Sequence, residues 1–109
     1  MNVLSKPRIE EASKKFPDAA KELAIWYRVT SRARWHDFNE LRETFGDADR
    51  AGDYYIFNIR HNRYRLIVKI QFVAKKPDKT ESIGFVYVRS FLTHKQYDNP
   101  GNWEKGVIG

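Results

Sequence analysis

Tyr64-Arg65-Leu66-Ile67-Val68-Lys69-Ile70-Gln71-Phe72 is the clearest alternation in the chain. Successive side chains of a strand point to opposite faces, so Tyr64, Leu66, Val68, Ile70 and Phe72 share one face. Arg65, Ile67, Lys69 and Gln71 share the other. The first face is wholly apolar or aromatic and needs a core; the second carries cations. Upstream, Tyr55, Phe57 and Ile59 alternate with Tyr54, Ile56, Asn58 and Arg60, and His61-Asn62 supplies the turn of a hairpin. Downstream, Lys75-Lys76-Pro77-Asp78-Lys79-Thr80-Glu81 reads as an exposed loop. A last strand follows, with Val86, Val88 and Leu92 on one side and Phe85, Tyr87, Arg89 and Phe91 on the other.

The N-terminal half has the helical period. Met1 to Leu4 supports a short strand. Ser5 and Pro7 suit the start of a helix, and Ile9, Ala12 and Phe16 fall on one of its faces until Pro17 stops it. Asp18 is placed to cap a second helix running to about Thr30, with Ala20, Leu23, Ala24 and Tyr27 inward and Trp26 on the flank. The short link makes the two helices a hairpin. Asp37 and Glu40 resemble a capping box for a short third helix, with Phe38, Leu41 and Phe45 inward. Residues 46–53 read as a polar loop. The expected fold is α+β, in the order β-α-α-(α)-β-β-β: a helical hairpin packed on one face of a small, mainly antiparallel sheet. Trp26 and Trp35 are expected in the core, and His36 and His61 at the surface. The opposite sheet face would gather Arg65, Lys69, Tyr87 and Arg89 into one basic patch, if the register allows it.

A chain of 109 residues fits one domain, 1–109, with no repeat or linker to divide it. It has no cysteine, which excludes disulfides and thiolate metal sites. No apolar run is long enough for a membrane span, and no signal-peptide core is visible, so a cytoplasmic protein is expected. The net charge of +6 is unevenly placed. Residues 1–53 balance 10 basic against 10 acidic groups, whereas residues 54–98 hold 9 basic and 3 acidic. A localised positive field suits nucleic acid or an acidic partner; the alternative is a plain solubility surface.

Two stretches resemble the HigB toxins of bacterial type II toxin–antitoxin systems, within the RelE/ParE-like group. One is Phe57-Asn58-Ile59-Arg60-His61-Asn62-Arg63-Tyr64-Arg65-Leu66-Ile67-Val68. The other is Val88-Arg89-Ser90-Phe91-Leu92-Thr93-His94-Lys95-Gln96-Tyr97-Asp98, whose Thr-His-Lys-x-Tyr-Asp close is the more specific element. Pro17-Asp18-Ala19 through Leu23 to Trp26-Tyr27 is similar as well, so the likeness spans roughly residues 3 to 98. It departs at His61, where the family turn usually has glycine, and in the added segment Asn99 to Gly109, an antitoxin or ribosome contact or a frayed end. The resemblance implies an mRNA interferase, often ribosome-dependent, neutralised by a helix-turn-helix antitoxin of the HigA kind. No cofactor is implied.

Metal-free RNA cleavage needs a base for the 2′-hydroxyl, cations at the phosphorus and an acid for the leaving 5′-oxygen. His94 is the best acid or base by residue type. Tyr97 suits the same role or base stacking. Arg65 and Arg89 are the phosphate clamps, since guanidinium binds phosphate bidentately. Lys69 and Lys95 are further cations, with Tyr87 and Arg63 as additional RNA contacts and Asp98 as an orienter of His94. Each has a plain alternative: a strand-ending histidine, a packing tyrosine, solvated arginines. The three histidines are too scattered for a metal site, and no glycine-rich phosphate loop or serine triad is present. Two other functions share these features, a non-catalytic RNA- or ribosome-binding module and a gyrase-inhibiting toxin. His94, Lys95 and Tyr97 together favour the nuclease.

Overall fold

The computed structural model describes residues 1–109. Strand β1 (Asn2–Leu4) leads into helix α1 (Lys6–Lys15), a 3-10 turn (Pro17–Ala19) and helix α2 (Ala20–Arg32). Helix α3 (Phe38–Thr44) precedes β2 (Asp49–Ala51), β3 (Tyr54–Ile59), β4 (Tyr64–Gln71) and β5 (Phe85–Thr93). Helix α4 (His94–Tyr97) and a 3-10 turn (Pro100–Asn102) close the chain. The strands form one mixed sheet in the order β1-β5-β4-β3-β2, with β1 parallel to β5 and every other pair antiparallel. The α+β expectation, a helical hairpin on one face of a mainly antiparallel sheet, holds.

The alternation read in β4 sets the main core. Leu66 and Val68 are fully buried and meet Phe57 and Tyr55 across β3 and Phe91 and Val88 across β5. From the helices come Ile9, Ala12, Leu23 and Trp26, and Trp35 joins them. Trp26 packs edge-on against Phe57, ring centroids 5.4 Å apart. Burying a large apolar side chain contributes roughly 1.5–3 kcal/mol, so this layer is the main source of stability. The buried face of α2 is Leu23, Trp26 and Thr30, and Ala24 is exposed. Trp26 therefore sits at the centre of that face rather than on its flank.

Several local expectations change. Residues 46–53 are not all loop: Asp49–Ala51 pairs with Tyr54–Ile56 as the edge strand β2, turning at Gly52 with φ of 59°. Asp18 does not cap α2. Its carboxylate accepts from Arg63 at 2.8 Å and from the Tyr64 hydroxyl at 2.9 Å, tying the helical hairpin to the start of β4. In the β3–β4 turn the left-handed residues are Arg60 and His61, at φ of 55° and 60°, and not Asn62. Asp37 does cap α3, accepting from the Glu40 amide at 2.9 Å. The Glu40 carboxylate turns instead to His36, whose ring also meets Glu81 from the far loop. His36 lies at the surface as expected and there ties two segments together.

The largest departure is a bulge in β5. Ile67 pairs with Ser90 but Val68 pairs with Val88, leaving Arg89 as an extra, unpaired residue. An extra residue reverses the facing of everything beyond it. Phe91 therefore turns to the helices, and Leu92 turns to the opposite face, the reverse of the simple alternation. On that opposite face Leu92 joins Ile56 and Ile67 in a second, smaller core. Tyr97, Trp103 and Val107 cover it, so the face is not an open basic plane.

The C-terminal segment is built into the sheet rather than frayed. The Phe91 amide donates to the Val107 carbonyl at 2.9 Å, and the Gly109 amide donates to the Phe91 carbonyl at 2.7 Å. These residues extend the edge that β1 starts beside Phe85–Tyr87. Between the two, the Arg8 guanidinium donates to the carbonyls of Arg89 and Gly106, at 3.3 and 3.0 Å. Gly106 has φ of 70°, a backbone conformation that favours glycine, and a Cβ there would displace the Arg8 guanidinium.

Candidate active site

The end of β5 is held by a reciprocal cap. Thr93 Oγ1 accepts from the Gln96 amide at 3.3 Å, and Gln96 Oε1 accepts from the Thr93 amide at 3.0 Å. This Thr-x-x-Gln pattern satisfies two donors that a helix start leaves free. The His94 amide adds a bond to the Arg63 carbonyl at 3.1 Å, fixing α4 to the start of β4. The single turn that follows lays Tyr97 over Ile56, Ile67 and Leu92.

Arg65 comes to the same place from β4. In the register it stands between Asn58 of β3 and Leu92 of β5. Its guanidinium donates to the Asn62 carbonyl at 2.7 Å and lies 5.1 Å from the centre of the Tyr97 ring. Arg65 and Tyr97 line a cavity of about 380 Å³ with Arg42, Asp47, Ala48, Asp49, Ile56 and Asn58. Asn58 Nδ2 donates to Asp47 at 3.4 Å, linking strand and loop walls. Burial pushes the Tyr97 phenol up, and the Asp49 carboxylate adds to the effect. A phenol is neutral at neutral pH in any case, and the shift keeps it so to higher pH.

The other expected residues divide into groups. Lys69 and Tyr87 are paired in register, and Arg89 stands on the bulge. Glu104 of the C-terminal segment binds Arg89 at 2.8 Å and Lys69 at 3.4 Å, and also meets the Tyr54 hydroxyl. The single basic patch expected from Arg65, Lys69, Tyr87 and Arg89 is thus split. Arg65 faces the cavity, while Arg89 and Lys69 are engaged by a carboxylate. Arg63 lies away from the cavity, committed to Asp18, whose carboxyl its guanidinium holds below the usual range. His94 and Lys95 are exposed on the first residues of α4 and do not line the cavity. His94 and Tyr97 are three residues apart on one turn, the spacing of helix neighbours. No three His, Asp or Glu side chains converge as metal ligands.

Sequence reading missed Asn58, Arg42, Asp47, Asp49, Trp103 and Glu104. Asn58 had a signal, because a hairpin turning over residues 60–63 puts it opposite Arg65. The residues from 42 to 49 carried none, since only the pairing of β2 brings that loop to the sheet.

A helical hairpin on a mixed sheet, with arginine and tyrosine gathered at the sheet's end, is the build of a RelE-like toxin. The family model of HigB toxins, described as the RelE-like toxic component of a toxin–antitoxin system, matches residues 19–100. The chain belongs to the HigB toxin family. Among curated relatives, an mRNA interferase HigB of Escherichia coli O6:H1 is 28% identical over 101 residues, covering 90% of this chain and 89% of the relative. An mRNA interferase HigB of Shigella flexneri is 23% identical over 101 residues, covering 90% and 88%. The resemblance drawn from the two strand motifs is thereby upheld. No helix is long and apolar enough to cross a membrane.

Proposed function

We propose that the chain, read as one toxin domain over 1–109, is an endoribonuclease that cleaves messenger RNA on the ribosome in the cytoplasm. It does so without a metal ion and is silenced by a cognate helix-turn-helix antitoxin of the HigA kind. The observation that carries the reading is the Arg65 guanidinium against the Tyr97 ring in a concave site, with Tyr97 on the short turn that His94 and Lys95 begin. The names of the two relatives support the same activity.

In this reading the 2′-hydroxyl of one nucleotide attacks its own 3′-phosphate. The O2′–P bond forms and the P–O5′ bond breaks, leaving a 2′,3′-cyclic phosphate and a free 5′-hydroxyl. His94, on the exposed turn, takes the 2′-hydroxyl proton. Tyr97, neutral at neutral pH and lining the cavity with Arg65, gives its proton to the departing O5′. Arg65 offsets the charge that builds on the phosphoryl oxygens, with the exposed Lys95 of the same turn as Tyr97 as a second cation. Arg89 and Lys69 take part only where RNA displaces Glu104 from them.

Primer extension on a message translated in a reconstituted system tests the proposal, run with the protein, without it, and with ribosomes omitted. New 5′ ends appearing only with ribosomes are expected. Ends without ribosomes would make it a free ribonuclease. No ends in either case would refute cleavage and leave a binding or gyrase-directed toxin.

A further inference from the structure

We infer that Trp103 is a positioning residue for Tyr97, so that the segment Asn99–Gly109 forms part of the cleavage site. The inference rests on Tyr97 as the proton donor proposed above. The indole of Trp103 lies parallel to the Tyr97 ring, centroids 4.9 Å apart and planes 7° apart. Its Nε1 donates to the Tyr97 carbonyl at 3.0 Å, so one side chain holds both the ring and the backbone of that residue. Tyr54 meets the indole edge-on at 5.7 Å, limiting its own freedom.

The strap that carries Trp103 is anchored on three sides. Ser90 Oγ donates to the Trp103 carbonyl at 2.8 Å, and Asn102 Nδ2 donates to the Gln96 carbonyl at 2.9 Å. Glu104 fastens the next residue to Arg89 and Lys69. Helix α4 is a single turn and has little rigidity of its own. Without the indole, the Tyr97 ring would keep Arg65 as a partner but lose the parallel surface that fixes its plane. A donor that wanders by about 1 Å can lose on the order of 100-fold in rate.

The test is a double-mutant cycle with Trp103→Ala and Tyr97→Phe, with Trp103→Phe as the conservative variant. It is read in kcat, KM and the ultraviolet titration of the tyrosines. Thermal melts establish that each variant is folded. Trp103→Ala is expected to lower kcat by roughly 10- to 100-fold with KM little changed, and Trp103→Phe to restore most of it. In the Tyr97→Phe background Trp103→Ala should cost nothing further, since residues acting as one unit are not additive. The titration step missing from Tyr97→Phe should move to lower pH in Trp103→Ala, as the ring gains water. Arg65, Asp49, Asp98 and Glu104, the charges around the pair, are unchanged in all variants.

An additive loss, an unmoved Tyr97 titration, or a rise in kcat would overturn the inference; a rise would make the segment a cover. Full kcat in Tyr97→Phe would instead refute Tyr97 as donor. The titration would then still decide whether Trp103 positions it.

Discussion

Replacing Arg65 with methionine separates the chemistry of the site from its stability. Methionine keeps an unbranched stem and removes the guanidinium. The structural loss is the bond to the Asn62 carbonyl at 2.7 Å and the contact with the Tyr97 ring at 5.1 Å. A net hydrogen bond is about 0.5–1.5 kcal/mol and an exposed cation–π contact about 0.5–1 kcal/mol, so the fold should weaken by roughly 1–2.5 kcal/mol. Removing a donor aimed at developing charge costs far more, about 100- to 1,000-fold in rate. Urea unfolding gives the first quantity and single-turnover cleavage on programmed ribosomes the second. Arg65→Lys should recover only part of the rate, because a point charge does not reproduce the planar fork. A folded Arg65→Met protein within about threefold of the parent rate would refute the assignment, since a positioned transition-state donor cannot be removed so cheaply.

Three further outcomes follow from named contacts. Trp26, only 2% exposed, should cost about 3–5 kcal/mol when replaced by alanine, measured as a shift in urea midpoint; an unshifted midpoint would remove it from the core. The Glu81 and Glu40 carboxylates hold the His36 imidazolium above its ordinary value of 6.5. Its contribution is therefore full below about 6.5 and is lost as pH rises through the raised value, so urea midpoints should fall over that window and a His36→Gln variant should lack the step. Glu104→Gln should free Arg89 and Lys69 for phosphates, steepening the salt dependence of single-stranded RNA binding by about 1.4 in log–log slope for two added contacts. An unchanged slope would mean the two cations do not reach RNA.

The elements legible in the sequence were those whose periodicity lay within one segment. Tyr64 to Gln71 announced a strand with one buried face, and Leu66 and Val68 are fully buried as that pattern required. Ile9 and Ala12 did the same for α1. The bulge at Arg89 was not legible, because nothing in Val88-Arg89-Ser90 signals an extra residue. Pairing with β4 and the packing of Phe91 on the helices decide it. Asp18 shows the other kind of failure. A residue type suited to capping was given a local role, while the fold offered it Arg63 and Tyr64, far along the chain. The Thr93–Gln96 cap, by contrast, is legible from its spacing.

The charge pattern carries the same lesson into function. Residues 54–98 hold 9 basic and 3 acidic groups, and counting by segment makes their whole surface look attractive to RNA. The fold then brings acids to that surface from outside the segment, Asp18 to Arg63 and Glu104 to Arg89 and Lys69. A cation already facing a carboxylate presents much less field to a phosphate than a free one, since the pair nearly cancels beyond a Debye length of about 8 Å. Arg65, by contrast, donates to a neutral carbonyl and leans on an aromatic ring, so its charge is not spent on a carboxylate. Arg65 thus stays without a carboxylate partner in the cavity where Tyr97 stands, though Asp47 and Asp49 share its lining. Glu104 narrows the field while Trp103, one residue earlier, holds Tyr97. A single strap thus holds both the cations Arg89 and Lys69 and the ring of Tyr97.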